Sequence, residues 1–398
     1  MTASETPVPR PRLYQGPALL SYGFRPFFLL GAAYAGLAIL VWLPMFLGEL
    51  KLNTAFAPRD WHVHEMLYGY LPAVITGFLF TAIPNWTGRL PIQGTPLLAL
   101  VIVWILGRVA VVCSARIGWA PAMLIDVSFL LLIAAAASRE IVAGRNWSNL
   151  KIVVLIALLL TGNVAFHAEA HFVGAADYSI RIGIAVVTLL IMMIGGRIIP
   201  SFTRNWLVRE NPGRLPVPFA RLDLLIIALS AIALLTWIVR PDGALTGIAL
   251  GVAGLLNAIR LRRWAGDRTF RDRLVLILHV GYAFIPIGFL LNAASAVDYL
   301  PASTGVHAWM AGAAGVMTLA VMTRASLGHT GQQLVASTAT QGIYLAVVMA
   351  ALARICAAAF PNSSAHLLHL AAFTWAIAFL GFAVCYGPAL MSPRKRSN

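Results

Sequence analysis

Two histidines and a glutamate stand together at the start of an apolar stretch, in the run Trp61-His62-Val63-His64-Glu65-Met66. The stretch ends at Ile83-Pro84-Asn85-Trp86-Thr87-Gly88-Arg89. A bilayer penalises unpaired polar groups, so ionisable side chains at the border of the hydrocarbon are there for function or for pairing. Neutral imidazole is a good ligand for copper, iron and zinc. The run is therefore a candidate site for a metal or a heme.

Further histidines are predicted on the same, outer side of the membrane. His167 and His171 lie four residues apart, and His366 and His369 lie three apart. Such spacings place two rings on one face of a helix. A histidine at a helix end also serves as a simple capping or interfacial group, and we favour that role for most of these. Metal or heme ligation is predicted for four of the outward histidines, His62, His64, His167 and His307.

The composition predicts an all-α, polytopic membrane protein. Hydrophobic residues make up 60% of the chain and charged residues 11%, and the mean hydropathy is +0.82. With about 20 apolar residues to a span, the sequence predicts one domain of twelve transmembrane helices over residues 24–387, between tails at 1–23 and 388–398. The predicted helices begin near Phe24, His62, Thr95, Trp119, Ser148, Ile180, Leu222, Asp242, Leu274, Val306, Ala339 and His366.

The distribution of positive charge predicts the orientation of these helices. The net charge of +15 by itself suggests nucleic acid, but the charges follow the membrane topology. With the N-terminus inside, 22 of the 29 lysines and arginines fall at the inner face, and two, Arg108 and Arg354, fall within spans. The excess agrees with the positive-inside rule, so both termini are predicted to be cytoplasmic. The outer loops hold only Lys51, Arg59, Arg116, Arg181 and Arg240.

The charged residues within the predicted spans need partners. Arg108 and Asp126 are predicted at similar depth on the third and fourth helices, which favours an ion pair. The alternative for Arg108, and the functional role considered for Arg354, is that the guanidinium fork holds a heme propionate. His279 and His329 form a candidate second site in the inner half.

A weak internal repeat suggests three units of four helices. The second helix carries His64 five residues before Gly69, and the tenth carries His307 five residues before Gly312. The missing glycine side chains are predicted to let a flat macrocycle approach the backbone. We therefore predict His64 and His307 as the axial ligands of one heme, and His62 with His167 as copper ligands. Glu65 is then a candidate acceptor that fixes the tautomer of an imidazole.

Several blocks of the sequence resemble the NnrS family. The resemblance implies a bacterial inner-membrane protein that contains heme and copper and is associated with nitric oxide and denitrification. It does not supply a mechanism or a ligand set. The blocks are Gly23-Phe24-Arg25-Pro26-Phe27-Phe28, Trp61-His62-Val63-His64-Glu65-Met66, Pro84-Asn85-Trp86-Thr87-Gly88-Arg89, Gly196-Arg197-Ile198-Ile199-Pro200-Ser201-Phe202-Thr203-Arg204-Asn205 and Met322-Thr323-Arg324-Ala325-Ser326-Leu327-Gly328-His329-Thr330-Gly331.

The twelve helices are also similar to those of heme-copper oxidases and nitric oxide reductases. However, the predicted sixth helix has no histidine, and the seventh lacks the paired histidines of that superfamily. Its copper ligands are therefore missing at the corresponding helices, and its chemistry is not transferred to this chain.

The predicted function is a protective role under nitrosative stress. The protein is expected to bind or turn over nitric oxide, or to limit damage to cellular iron, so enzymatic activity is left open. Its expected partners are the lipid bilayer, nitric oxide and a membrane or periplasmic electron donor, with no nucleic acid. Twelve helices with prolines inside them are also typical of a secondary transporter of a small solute. A heme or metal handling factor is a further alternative.

Overall fold

Twelve helices in the described part of the chain are long and apolar enough to span a membrane. The computed structural model describes residues 14–395, so residues 1–13 and 396–398 of the predicted tails lie outside the described residues. A bilayer offers the backbone no hydrogen-bond partners, which is why the spans are helical. The chain is thus a multi-pass membrane protein, as predicted. The helices are α1 Phe24–Phe46, α2 Pro58–Thr87, α3 Thr95–Val112, α4 Trp119–Ala143, α5 Trp147–Phe172, α6 Tyr178–Glu210, α7 Arg221–Val239, α8 Ala244–Arg268, α9 Arg273–Ser295, α10 Ala302–His329, α11 Thr338–Ala359 and α12 Pro361–Met391.

Three helices begin about one turn earlier than the apolar pattern predicts. These are α2, α10 and α12, which start at Pro58, Ala302 and Pro361. In α2 the added turn contains Asp60 and Trp61, both of which are buried against protein. Hydropathy misses such a turn because its polar residues are shielded by neighbouring helices. His62 and the other histidines near these ends therefore lie inside their helices and not at the first residue.

The twelve helices follow a threefold arrangement of four-helix units. The fourth helix of each unit packs against the third helix of its own unit and the first helix of the next. Thus α4 packs on α3 and α5, α8 on α7 and α9, and α12 on α11 and α1. The second helices α2, α6 and α10 meet inside this ring: α6 contacts both others, and Tyr70 of α2 contacts Thr318 of α10 at 2.5 Å. The predicted three-unit organisation is confirmed.

Two of the central helices contain a π-helical segment. It covers Glu65–Tyr70 in α2 and Ala308–Gly315 in α10. Each segment follows a histidine directly, His64 in α2 and His307 in α10. Segments of π-helix are rare and occur frequently at functional sites. The equivalent geometry supports the repeat between the two helices and draws attention to both histidines.

The two ends of the chain meet at one face of the bundle. Arg25, at the start of α1, is buried and donates from Nη1 to the carbonyl oxygens of Leu390 at 2.8 Å and Ser392 at 2.7 Å. The last carbonyls of a helix have no partner within it. Arg25 thus caps α12, which runs to Met391, beyond the predicted boundary at residue 387.

Replacing Arg25 should destabilise the fold. Arg25→Ala removes the donor to the carbonyls of Leu390 and Ser392, and we expect a loss of about 1.5–3 kcal/mol, the range for hydrogen bonds to a charged group. Thermal unfolding in detergent measures the loss. Arg204→Ala, at an exposed arginine, is the control and should unfold like the wild type. Equal midpoints for the two variants would contradict the capping role.

Candidate cofactor-binding sites

Seven polar side chains from five helices form a buried ionic cluster. Six of them are fully buried, and Tyr34 is half-buried. The helices α1 to α5 each contribute at least one member, so the cluster joins the first unit to the first helix of the second. Its residues are Tyr34, His64, Glu65, Arg108, Asp126, Asn163 and His167.

Arg108 lies between the two carboxylates of the ionic cluster. Its Nη1 donates to Glu65 Oε2 at 2.7 Å, and its Nη2 donates to Asp126 Oδ1. The predicted pair of Arg108 and Asp126 is thus confirmed, with Glu65 as a second partner. Tyr34 donates to the same Glu65 oxygen. Arg108 also fills the space next to Gly69, where a Cβ would meet its guanidinium.

Asp126 Oδ2 is the point at which the remaining donors converge. Asn163 Nδ2 donates to it at 2.8 Å, His167 Nε2 lies at 3.1 Å and His64 Nε2 at 3.2 Å. His64 Nδ1 faces Glu65 Oε1 at 2.9 Å. Glu65 is therefore a hydrogen-bond partner of an imidazole, as the sequence predicts.

The surroundings of His64 indicate its charge. Its Nδ1 faces Glu65, and its Nε2 faces Asn163 Oδ1 at 3.0 Å as well as Asp126. These are all acceptor oxygens, so both ring nitrogens must donate, which makes the ring an imidazolium. The two carboxylates are then balanced by Arg108 and His64. Removing that proton from His64 would leave one negative charge for a bound cation to compensate.

Three side chains of the ionic cluster fit a metal ion. His64, Asp126 and His167 bring potential ligand atoms within 4.8 Å of one another. The separations of 3.1 Å and 3.2 Å from Asp126 Oδ2 are close to the ~3.3 Å between two ligands in a tetrahedral site with bonds of about 2.0 Å. Two imidazoles and a carboxylate suit copper, zinc or iron.

A second group of histidines lines an apolar cavity of about 130 Å³, which we call the histidine cavity. His62 of α2, His307 of α10 and Arg354 of α11 are its basic side chains, and Trp42 and Trp375 are among its walls. His62 stacks on Trp42 with ring centroids 4.2 Å apart. The cavity therefore presents two imidazoles and a guanidinium to an otherwise apolar space.

The polar groups of the histidine cavity have unused hydrogen-bonding capacity. His62 Nδ1 and Arg354 Nε are buried without a partner. His307 Nδ1 donates to the Ser303 carbonyl at 2.6 Å, so Nε2 carries the lone pair. A buried polar atom without a partner is costly unless a ligand satisfies it. Imidazoles, a guanidinium and aromatic walls fit the iron, the propionates and the flat macrocycle of a heme.

The structure combines the predicted histidines differently from the sequence-based pairing. His64 lies with His167, with ring centroids 5.0 Å apart, and His62 shares the histidine cavity with His307. The sequence correctly predicts that His62 and His64 face different sides of α2. It does not determine which of them lies next to His167 and which next to His307. The pairing of His64 with His307, and of His62 with His167, is therefore corrected.

The predicted role of the two glycines is also corrected. At Gly69 the space is filled by Arg108, and at Gly312 an added Cβ would meet the ring of Phe284 at 2.5 Å. Both positions need glycine for close packing inside the protein. Neither leaves its backbone open to a macrocycle.

Two further predicted groupings have definite positions. Arg354 lies at the histidine cavity, whereas Arg108 is held by its carboxylates. His279 faces Thr203 Oγ1 of α6 at 2.9 Å, and His329 packs on Phe24 of α1 with centroids 5.3 Å apart. The structure thus places the inner histidines against different helices and does not bring them together.

Two members of the ionic cluster escape the sequence analysis. Asn163 lies four residues before His167, and this spacing places both on one face of α5. That spacing is a usable signal, because an amide inside an apolar span also needs a partner. Tyr34 offers no such signal, since tyrosine is common in membrane helices.

Comparison with known proteins gives one match. A profile of the family described as NnrS protein matches residues 18–394. No curated protein and no solved structure matches significantly. The match covers both histidine sites.

Removing a charge from the ionic cluster should destabilise the protein strongly. Arg108→Met leaves two buried carboxylates with only His64 to balance them, and Asp126→Asn leaves Arg108 and His64 with only Glu65 to balance them. We expect each to cost about 3–5 kcal/mol, as for other broken buried ion pairs. Thermal or denaturant unfolding of the purified protein measures this.

The double variant Arg108→Met/Asp126→Asn separates the effect of the ion pair from the effect of losing each side chain. It removes one charge of each sign and leaves Glu65 with His64, so it should lose less stability than the sum of the single variants. Arg116→Ala, at an exposed arginine, is the control. Additive losses in the double variant would show that the two residues are not coupled.

Proposed function

The chain belongs to the NnrS family, and on that premise we propose that it is a heme- and copper-binding membrane protein that acts in the response to nitric oxide. It would bind or turn over nitric oxide, or protect cellular iron, in nitrosative stress or denitrification. The observation that carries the proposal is the position of two histidines on α2. His62 faces the histidine cavity, and His64, two residues away, faces the ionic cluster.

Copper is proposed at His64, Asp126 and His167. The contacts that support this are the convergence of their ligand atoms and the hydrogen bond from His64 to Glu65, which orients the ring. Binding of a cation at His64 Nε2 displaces the proton of the imidazolium, so the buried charge changes little. Arg108 holds the second oxygen of Asp126 in place. Bound copper would supply one-electron redox chemistry.

Heme is proposed in the histidine cavity, where His62 and His307 would hold the iron and Arg354 would hold a propionate. The unpaired Nδ1 of His62 and Nε of Arg354 support this assignment. His307 is oriented by Ser303, which leaves Nε2 for an iron. A bound heme would supply a redox-active iron, and a diatomic ligand would bind it in place of one of the two imidazoles. The apolar walls exclude water and favour an uncharged ligand such as nitric oxide.

Variants of the histidines should separate the two cofactors. His62→Ala and His307→Ala should remove the heme absorption of the purified protein and leave copper, because both line the histidine cavity. His167→Ala should remove copper and leave the heme spectrum. Visible spectra of oxidised, reduced and nitric-oxide-treated protein, with iron and copper analysis, measure both.

His171→Ala is the control for these variants. His171 stacks on Trp119 with centroids 4.6 Å apart and belongs to neither site, so iron and copper should be unchanged. Colourless, metal-free wild-type protein would overturn the proposal in favour of the transporter. Cofactor that is bound but passed to another apo-protein would favour the handling factor. A reduced spectrum unchanged by nitric oxide would argue against direct binding.

We further propose that the protein lies in a bacterial inner membrane with both termini cytoplasmic. The positive charges support this orientation, and it would place both histidine sites in the outer half, accessible to a periplasmic or membrane electron donor. A fluorescent protein fused to the C-terminus should fold and fluoresce. Alkaline phosphatase fused after Val173, in the α5–α6 loop, should be active. The opposite pattern would reverse the topology.

A further inference from the structure

A second apolar space lies on the same axis as the histidine cavity, between α2, α6 and α10. This space, which we call the inner chamber, has a volume of about 80 Å³. Its walls include Val74 and Phe78 of α2, Leu190 and Ile194 of α6, and Met317 and Val321 of α10. Leu71 lines both the inner chamber and the histidine cavity. The two spaces therefore adjoin along the central helices.

The inner chamber offers water almost no hydrogen bonds. Among the described residues that line it, Thr318 alone has a polar side chain. Its hydroxyl already donates to the carbonyl oxygen of Ala314 at 2.7 Å and lies 2.5 Å from the hydroxyl of Tyr70. A buried water needs two to four polar partners, and apolar cavities of this kind stay dry and bind guests such as xenon. The chamber suits an uncharged, apolar guest.

A pair of side chains marks the boundary between the two spaces. Tyr70 lines the histidine cavity, and Thr318 lines the inner chamber. Their contact joins α2 to α10 at the level of Leu71. The contact therefore lies between the two spaces, and an ion would meet no compensating group inside the chamber.

We propose that the inner chamber binds a small, uncharged, apolar molecule of diatomic size and passes it to the histidine cavity. The chamber and its guest follow from the lining residues. The route rests on the proposed function in one respect, because its end point is the proposed heme iron. A molecule of this class partitions into lipid, so the chamber gives it a path along the membrane axis to His62 and His307 that does not cross the polar outer surface.

Xenon tests the chamber without any cofactor. Crystals of the full chain, pressurised with xenon alone, should show xenon between Leu190 and Met317. Ala314→Leu places a larger side chain in the chamber and should remove this peak. Val321→Phe, at a half-buried wall position, is the second filling variant in case Ala314→Leu fails to fold. Leu352→Phe, on an exposed face of α11, is the control and should keep the peak.

Carbon monoxide rebinding to the reduced protein after a light flash tests the route. The filling variants should slow rebinding relative to Leu352→Phe while the heme spectrum stays the same. Absence of xenon from the chamber, or continuous density of a lipid chain in it, overturns the proposal. Xenon in the chamber with unchanged rebinding in the filled variants overturns the route. If the protein holds no heme, the proposed function fails, and the xenon experiment still decides whether the chamber exists as a binding site.

Discussion

The fork of Arg108 between Glu65 and Asp126 is the interaction on which the arrangement of α2 to α5 depends. Three charges are buried where neither water nor lipid can solvate them, so each must find its partner in the protein. The two ion pairs tie α2, α3 and α4 together, and the hydrogen bonds of Asp126 to Asn163 and His167 extend the connection to α5. The cost of burying these charges thus fixes how four helices are rotated against one another.

The rotation of α2 follows from this fork and decides where the histidines point. With Glu65 held by Arg108, His64 is directed into the ionic cluster. His62 lies two residues earlier on the helix, about 200° around its axis, so it must face the opposite side, where the histidine cavity lies. One structural ion pair therefore determines which imidazoles lie together. The π-helical segment that follows His64 belongs to the same arrangement.

The threefold arrangement explains why there is space at the centre. Each unit places its second helix inside, and the inner faces of α2, α6 and α10 carry mainly aliphatic side chains. The ionisable groups His62, His307 and Arg354 line the histidine cavity, and the inner chamber beside it is lined mainly by aliphatic side chains.

The sequence by itself determined the number of helices, their approximate bounds and the pairing of Arg108 with Asp126. Hydropathy sets the spans because lipid rejects polar residues, and two charges at equal depth on consecutive helices have few other partners. Hydropathy failed to predict the first turns of α2 and α10, where polar residues are shielded by protein. Only the tertiary structure decided that His64 joins His167 and that His62 joins His307. Spacing along a helix fixes which residues share a face, but the direction of that face depends on contacts with helices distant in sequence.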